Sequence, residues 1–283
     1  MNPETLEAPR PGSKPGDTDA VTFSWADPGA GAYGLARAAT GIAPDGSRSA
    51  SALAIAFDGR EPLAAIAESG PEPPPELTVT TEAPLERWTV TGTGELEFEL
   101  TFEALTPPAE YGGGGRKSFA RVGGMEGYEQ LCRVRGKVGA KRVDGLGQRG
   151  HSWGNPDWDK ITLTRTVGAW FDDGTAHLVQ TVRTTKTDNH ADEAIWAATL
   201  DGERALSVEE PRLSTTTDAE GRHIRAGLEL WLHSDDDFPL RGIGEVVAGS
   251  TLELGALRLD VAFFRWHIEG RTAIGRYDIL RRT

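Results

Sequence analysis

The residue types best suited to chemistry are crowded into one stretch: Asp144-Gly145-Leu146-Gly147-Gln148-Arg149-Gly150-His151-Ser152-Trp153-Gly154-Asn155-Pro156-Asp157-Trp158. It sets a histidine, an arginine, a glutamine, two acids and two tryptophans among four glycines and a proline. An imidazole gains and loses a proton near neutral pH and serves as relay or base. A carboxyl group in an apolar pocket keeps its proton at neutral pH, because burial penalises the charged form. Indole faces stabilise a neighbouring cation. Together they could protonate an unsaturated carbon, steady the resulting cation, and direct water or remove a proton. His151 is the expected relay or base, with Trp153 and Trp158 shaping the pocket. Arg149 and Gln130 are the expected polar anchors for a carbonyl or hydroxyl on an otherwise apolar ligand.

The elements that position these groups read as strands. Glu95 to Phe102 alternates strictly, with Leu96, Phe98, Leu100 and Phe102 on one face and acids on the other, as in a half-buried antiparallel strand. The same logic places strands at 128–138, 161–170, 176–184, 193–200, 222–233, 251–270 and 272–280. Phe171-Asp172-Asp173-Gly174, Asp201-Gly202 and Glu269-Gly270 are the hairpin signals between them. On the strand from Tyr128, alternation sets Tyr128, Gln130, Cys132 and Val134 together, so Tyr128 and Gln130 are expected to enter the pocket with Cys132 as core filler. The glycines and proline of 144–158 read instead as a connection. The best helical candidate is the alanine-rich piece Leu63 to Glu68. Pro71–Pro75 and Gly112–Gly115 read as loops. Residues 1–19, rich in proline and polar side chains, read as a flexible leader, ordered only if it docks. Phe263-Phe264-Arg265-Trp266-His267 reads as core strand. No internal repeat is visible by eye. Strands about ten residues apart over this length call for antiparallel barrels or sandwiches.

Composition excludes several classes. The net charge is −13 with no basic stripe, which argues against nucleic-acid partners. The single cysteine cannot form an internal disulfide and favours a reducing, cytoplasmic setting. No basic-then-apolar leader and no run of about 18 apolar residues is present, so neither a signal peptide nor a transmembrane segment is expected. Tyr111 and Arg116 stand where a phosphate loop needs glycine, and no Gly-x-Ser-x-Gly elbow occurs. His177, His190, His223, His233 and His267 are scattered, without the spacing of a zinc site. The acidic run Ser234–Asp237 lacks the spaced ligands of a calcium loop.

Two blocks carry a resemblance: Glu126-Gly127-Tyr128-Glu129-Gln130, and Gly145 to Gly154 with Asp157-Trp158 just after. They resemble the AttH-like superfamily, which includes the carotenoid 1,2-hydratases (hydroxyneurosporene synthases) and lipocalin-like pericyclases, over roughly the C-terminal two-thirds. The resemblance implies an all-β fold of two lipocalin-like antiparallel β-barrel lobes packed together with little helix. The expected boundaries are a leader at 1–19, an N-terminal lobe at 20–147 and a C-terminal lobe at 148–283. It also implies a His-x-Trp pair, matched by His151 and Trp153, and a Tyr-x-Asp pair. Trp170-Phe171-Asp172 offers the latter with Trp in place of Tyr, which removes a proton donor. Asp172 is thus the first candidate acid and Asp157 the second, with Trp170 on the pocket wall. Asp172-Asp173-Gly174 reads equally as a plain hairpin turn.

The expected function is a cofactor-free acid/base enzyme: a hydratase, isomerase or cyclase acting on a hydrophobic unsaturated small molecule such as an isoprenoid, polyene or steroid-like lipid. The alternative is a non-catalytic lipid or isoprenoid carrier, which would show tryptophan walls without a titratable pair. An oligosaccharide-binding sandwich would place its tryptophans on an open face. No metal is expected, and a homodimer is among the assemblies this reading allows.

Overall fold

The computed structural model describes residues 3–112, 117–187, 189, 192–233 and 237–283. His190, Arg116, Gly113–Gly115 and Ser234–Asp236 lie outside the described residues. Among those described, the chain forms two five-residue helices, α1 (Pro3–Glu7) and α2 (Phe119–Gly123), and nineteen strands. It divides into two compact units, Met1–Glu110 with Gly124–Asp157, and Tyr111–Gly123 with Trp158–Thr283. The division falls after Asp157 and not after Gly147, because one strand runs unbroken from Lys141 to Gly154.

The first unit contains β1 (Thr18–Asp27), β2 (Ala32–Ile42), β3 (Arg48–Asp58), β4 (Glu61–Gly70), β5 (Leu77–Ala83), β6 (Arg87–Gly92), β7 (Phe98–Ala104), β8 (Ala109–Glu110), β9 (Met125–Val138) and β10 (Lys141–Gly154). They form one antiparallel sheet in the order β4-β3-β2-β1-β10-β9-β7-β6-β5, with β8 beside β9. The second unit contains β11 (Ile161–Trp170), β12 (Thr175–Thr184), β13 (Ala194–Asp201), β14 (Arg204–Ser207), β15 (Glu210–Thr217), β16 (His223–Trp231), β17 (Leu240–Leu254), β18 (Leu257–Ile268) and β19 (Arg271–Arg282). Their order is β14-β13-β12-β11-β19-β18-β17-β16-β15. Each sheet winds the same way. Three strands step outward from the first, the chain crosses to the far edge, and the rest meander back until the last strand pairs with the first. That is an internal repeat of structure, although the sequence shows none by eye.

Each sheet is curled and antiparallel, a lipocalin-like half-barrel with its own core. The first core gathers Phe23, Trp25, Trp88, Phe98, Leu100, Phe102 and Val134. The second gathers Val167, Leu228, Phe264, Trp266, Tyr277 and Ile279. Burial of such a side chain contributes about 1.5–3 kcal/mol, so a few aromatics dominate each core. Phe263-Phe264-Arg265-Trp266-His267 lies on β18, as its alternation requires.

Three local expectations are corrected. Leu63–Glu68 is part of strand β4, paired with β3; pairing along a sheet edge overrides the helical preference of alanine. The leader is not loose: α1 buries Leu6 and sends Glu7 into the first half-barrel. The glycine-rich stretch is strand and not connection. A Cβ at Gly147 would sit 2.3 Å from the Ser24 carbonyl oxygen and 2.5 Å from Val134 Cγ2. Glycine is used on β10 because a neighbouring strand and core side chains press onto it, not because the chain turns there.

Candidate functional site

β10 carries Arg149, His151 and Trp153 on one face. On β9, Gln130 stands opposite Arg149 and Tyr128 opposite His151. On β1, Phe23 stands opposite Arg149 and Val21 opposite His151, which leaves Asp19 as a diagonal neighbour of the imidazole, within side-chain reach. Cys132 and Val134 of the same β9 face belong to the core, so this is the interior of the half-barrel. Burial pushes the Cys132 thiol up to about 12, which makes it an inert filler.

Two charge constellations result. In the first, His151 Nε2 lies 2.7 Å from Asp19 Oδ1, with both side chains nearly excluded from solvent. The other ring nitrogen, Nδ1, is buried without a hydrogen-bond partner. Asp19 Oδ2 accepts a 2.8 Å bond from the Arg10 backbone N–H. The Trp153 ring meets His151 edge-on at 5.0 Å, and the Arg10 guanidinium covers it at 4.5 Å. In the second, Arg149 is fully buried and donates from Nη2 to Glu7 Oε1 at 2.6 Å and from Nη1 to the Tyr128 hydroxyl. Its guanidinium lies between the rings of Trp88 and Tyr128, 4.7 and 4.8 Å from their centroids. Burial, as the largest influence, raises the Tyr128 hydroxyl above its usual range; it is a hydrogen-bonding phenol and not a phenolate.

A cavity of about 660 Å³ opens beside these groups, within the size range of small-molecule sites. Its wall includes Val21, Ala38, Ala52, Leu77 and Pro73–Pro75, several hydroxyl side chains, and four titratable ones, Glu4, Glu7, Asp19 and His151. All of them belong to the first unit.

The expected site residues therefore separate. Tyr128, Arg149, His151 and Trp153 lie close together, but of the four only His151 is on the cavity wall. Gln130 is close by but serves the backbone, donating to the carbonyls of Leu85 and Thr106 at 3.1 Å each. Asp172 is an exposed residue of the β11–β12 turn and is not on the cavity wall, so Asp172-Asp173-Gly174 forms a hairpin turn. Asp157 is exposed in the loop after β10. Trp158 and Trp170 belong to the second unit, and neither they nor Trp153 line the cavity, whose wall has no Trp, Tyr or Phe among the described residues. Sequence reasoning missed Glu7 and Asp19, both assigned to a loose leader. A buried Arg149 demands an acid partner, and that signal could have prompted a search for one.

The fold is that of the AttH-like, lipocalin-type solved structures. An AttH-like protein from Nitrosomonas europaea superposes with a TM-score of 0.68 at 13% identity, covering 94% of this chain and 92% of the other. Kievitone hydratase from Nectria haematococca gives 0.61 at 11% identity, over 95% and 89%. CghA gives 0.63 at 13% identity, over 95% and 88%. A comparison of the sequence with curated proteins returns no match. Residues 3–282 match the family described as Domain of unknown function (DUF7064), and the chain belongs to that family.

Proposed function

We propose that the protein is an acid/base enzyme that adds water to, isomerises or cyclises an apolar unsaturated small molecule held in the first half-barrel. The observation that carries this reading is the His151–Asp19 pair on the wall of the cavity. A carrier has no need of a buried titratable pair facing its ligand. With Nε2–H donated to Asp19, Nδ1 holds a lone pair and acts as base. With the ring protonated, Nδ1–H is the acid, and the carboxylate balances the imidazolium charge.

The composition of the wall refines the substrate. An isolated carbocation needs an aromatic face, and among the described residues no indole lines the cavity. The double bond is therefore one conjugated to a polar group that takes up the developing charge. The hydratase among the structural relatives makes water addition the first reaction to assay.

The test is incubation with a panel of conjugated enones, dienes and isoprenoid acids in D2O, read by mass spectrometry. Deuterium should appear on a former alkene carbon with the wild-type protein. It should fall at least a hundredfold with His151→Phe and with Asp19→Asn, in the range expected for loss of a general acid or base. Labelling at the wild-type rate in both variants would refute the assignment.

A further inference from the structure

We infer that the donors around Arg149 form a socket for the carboxylate of an apolar acid, and that Glu7 is an internal stand-in for that ligand. This deepens the proposed function by naming a substrate class, and it rests on the cavity being the ligand site but not on proton transfer at His151.

Five donors converge on the Glu7 carboxylate. Oε1 accepts from Arg149 Nη2 at 2.6 Å, Trp88 Nε1 at 3.0 Å and Thr81 Oγ1 at 3.4 Å. Oε2 accepts from the Leu85 backbone N–H at 3.2 Å and the Tyr128 hydroxyl at 3.4 Å. Arg149, Trp88 and Tyr128 are fully buried and stand on β10, β6 and β9. Leu85 sits at φ 61° in the β5–β6 turn, a conformation unfavourable for leucine. Its carbonyl is held by Gln130 Nε2 at 3.1 Å. Local strain that presents an N–H to a carboxylate is the sort of backbone outlier found at ligand clamps.

The acceptor is attached far less firmly than the donors. Glu7 ends a five-residue helix with one buried side chain, Leu6. A helix that short has little stability of its own. It is tethered through residues 8–17, which include three prolines and two glycines. Glu7 lines the cavity, while Arg149, Trp88 and Tyr128 do not. Withdrawal of Glu7 would bare a buried, unpaired guanidinium to an apolar chamber, which is a strong anion site. The same withdrawal loosens the Arg10 N–H from Asp19 Oδ2, freeing that carboxylate to face the ligand. An acid entering the socket would thus expel the stand-in and open the His151–Asp19 pair together.

The test uses the full chain with decanoate as probe and decanol, equal in length but uncharged, as its partner. Titration calorimetry should show decanoate binding Glu7→Gln at least tenfold more tightly than wild type, with decanol changed less than twofold. Arg149→Met should abolish the preference for the acid. Glu7→Ala should melt at a lower temperature and be restored by decanoate but not by decanol. A folded Glu7→Gln protein that binds decanoate no better than wild type overturns the inference. So does a Glu7→Ala protein that decanoate fails to restore. Equal binding of both probes removes the socket and leaves the cavity reading intact, whereas binding of neither removes both.

Discussion

The two half-barrels share one winding and differ in what fills them. In the first, aromatic bulk collects on β1, β6 and β7 as Phe23, Trp25, Trp88, Phe98 and Phe102, while β2 and β3 present Ala36, Ala38, Ala52 and Ala54. Space is left beside the alanines, and charged groups stand at its edge. In the second, the interior holds His223 stacked on Phe264 at 5.4 Å, with Tyr277 against both rings and Trp266 beyond. The buried arginines differ as well. Among the described residues Arg149 has one carboxylate partner, Glu7 of the five-residue helix α1. Arg165 shares Glu193 with Arg183 and also donates to Thr181 and Thr215. Topology provides the container, and the volume of inward side chains decides whether it is empty. A charge held by several partners on strands supports a fold, whereas one balanced from a five-residue helix is easier to exchange.

The largest effect expected from this contrast is on stability. Arg149→Met leaves Glu7 without its cation and should cost about 3–5 kcal/mol in denaturant unfolding. Arg165→Met leaves Glu193 paired with Arg183 and should cost about 1–3 kcal/mol. Combining Arg149→Met with Glu7→Gln should recover much of the loss. Equal costs for the two arginines would remove the contrast.

Next is a pH effect assigned to the second unit. His177 and His223 are both lowered to about 4, first by burial. Each is neutral when folded and takes up a proton in the unfolded chain below 6.5. Stability should therefore be full above about pH 6.5 and decline as pH falls towards 4, by up to about 3 kcal/mol for each ring. His223→Gln should flatten that slope when unfolding is compared at pH 7 and pH 4.5; an unchanged slope would count against the burial argument.

A smaller pair of effects should be alike in both units. Gly147 on β10 and Gly275 on β19 each lie against a neighbouring backbone carbonyl, with an added Cβ 2.3 and 1.9 Å from the oxygen. Either change to alanine should cost about 1–3 kcal/mol by overpacking. Of similar size is the expected effect of His151→Ala, about 1–3 kcal/mol, since Asp19 loses its buried ring partner but keeps the Arg10 N–H. A larger loss of stability would mark His151 as structural.

Much of the fold was legible because alternation is local. β11 matches its expected bounds, and β9, β12, β13 and β16 are expected to within a few residues. β10 was misread because glycine signals a turn from sequence alone, whereas here it makes room for Phe102, Val134 and the β1 backbone. Of the candidate site, the alternation of β9 and β10 let the sequence bring Tyr128, Arg149, His151 and Trp153 together, though only His151 reaches the cavity wall. The acids could not. Glu7 and Asp19 reach their partners across 142 and 132 residues, and no spacing rule spans such a gap. Asp172 was drawn in by its motif, although turn chemistry alone explains it.

The central claim is an apolar ligand chamber in the first half-barrel with His151 on its wall. Native mass spectrometry of the purified protein, beside an Ala38→Trp variant that fills the chamber, tests it most directly. The account predicts a retained or exchangeable hydrophobic acid on the wild-type protein, absent from the variant at unchanged melting temperature. A folded wild-type protein that holds no hydrophobe from an isoprenoid and fatty-acid panel, or an Ala38→Trp protein that binds as well, would contradict it.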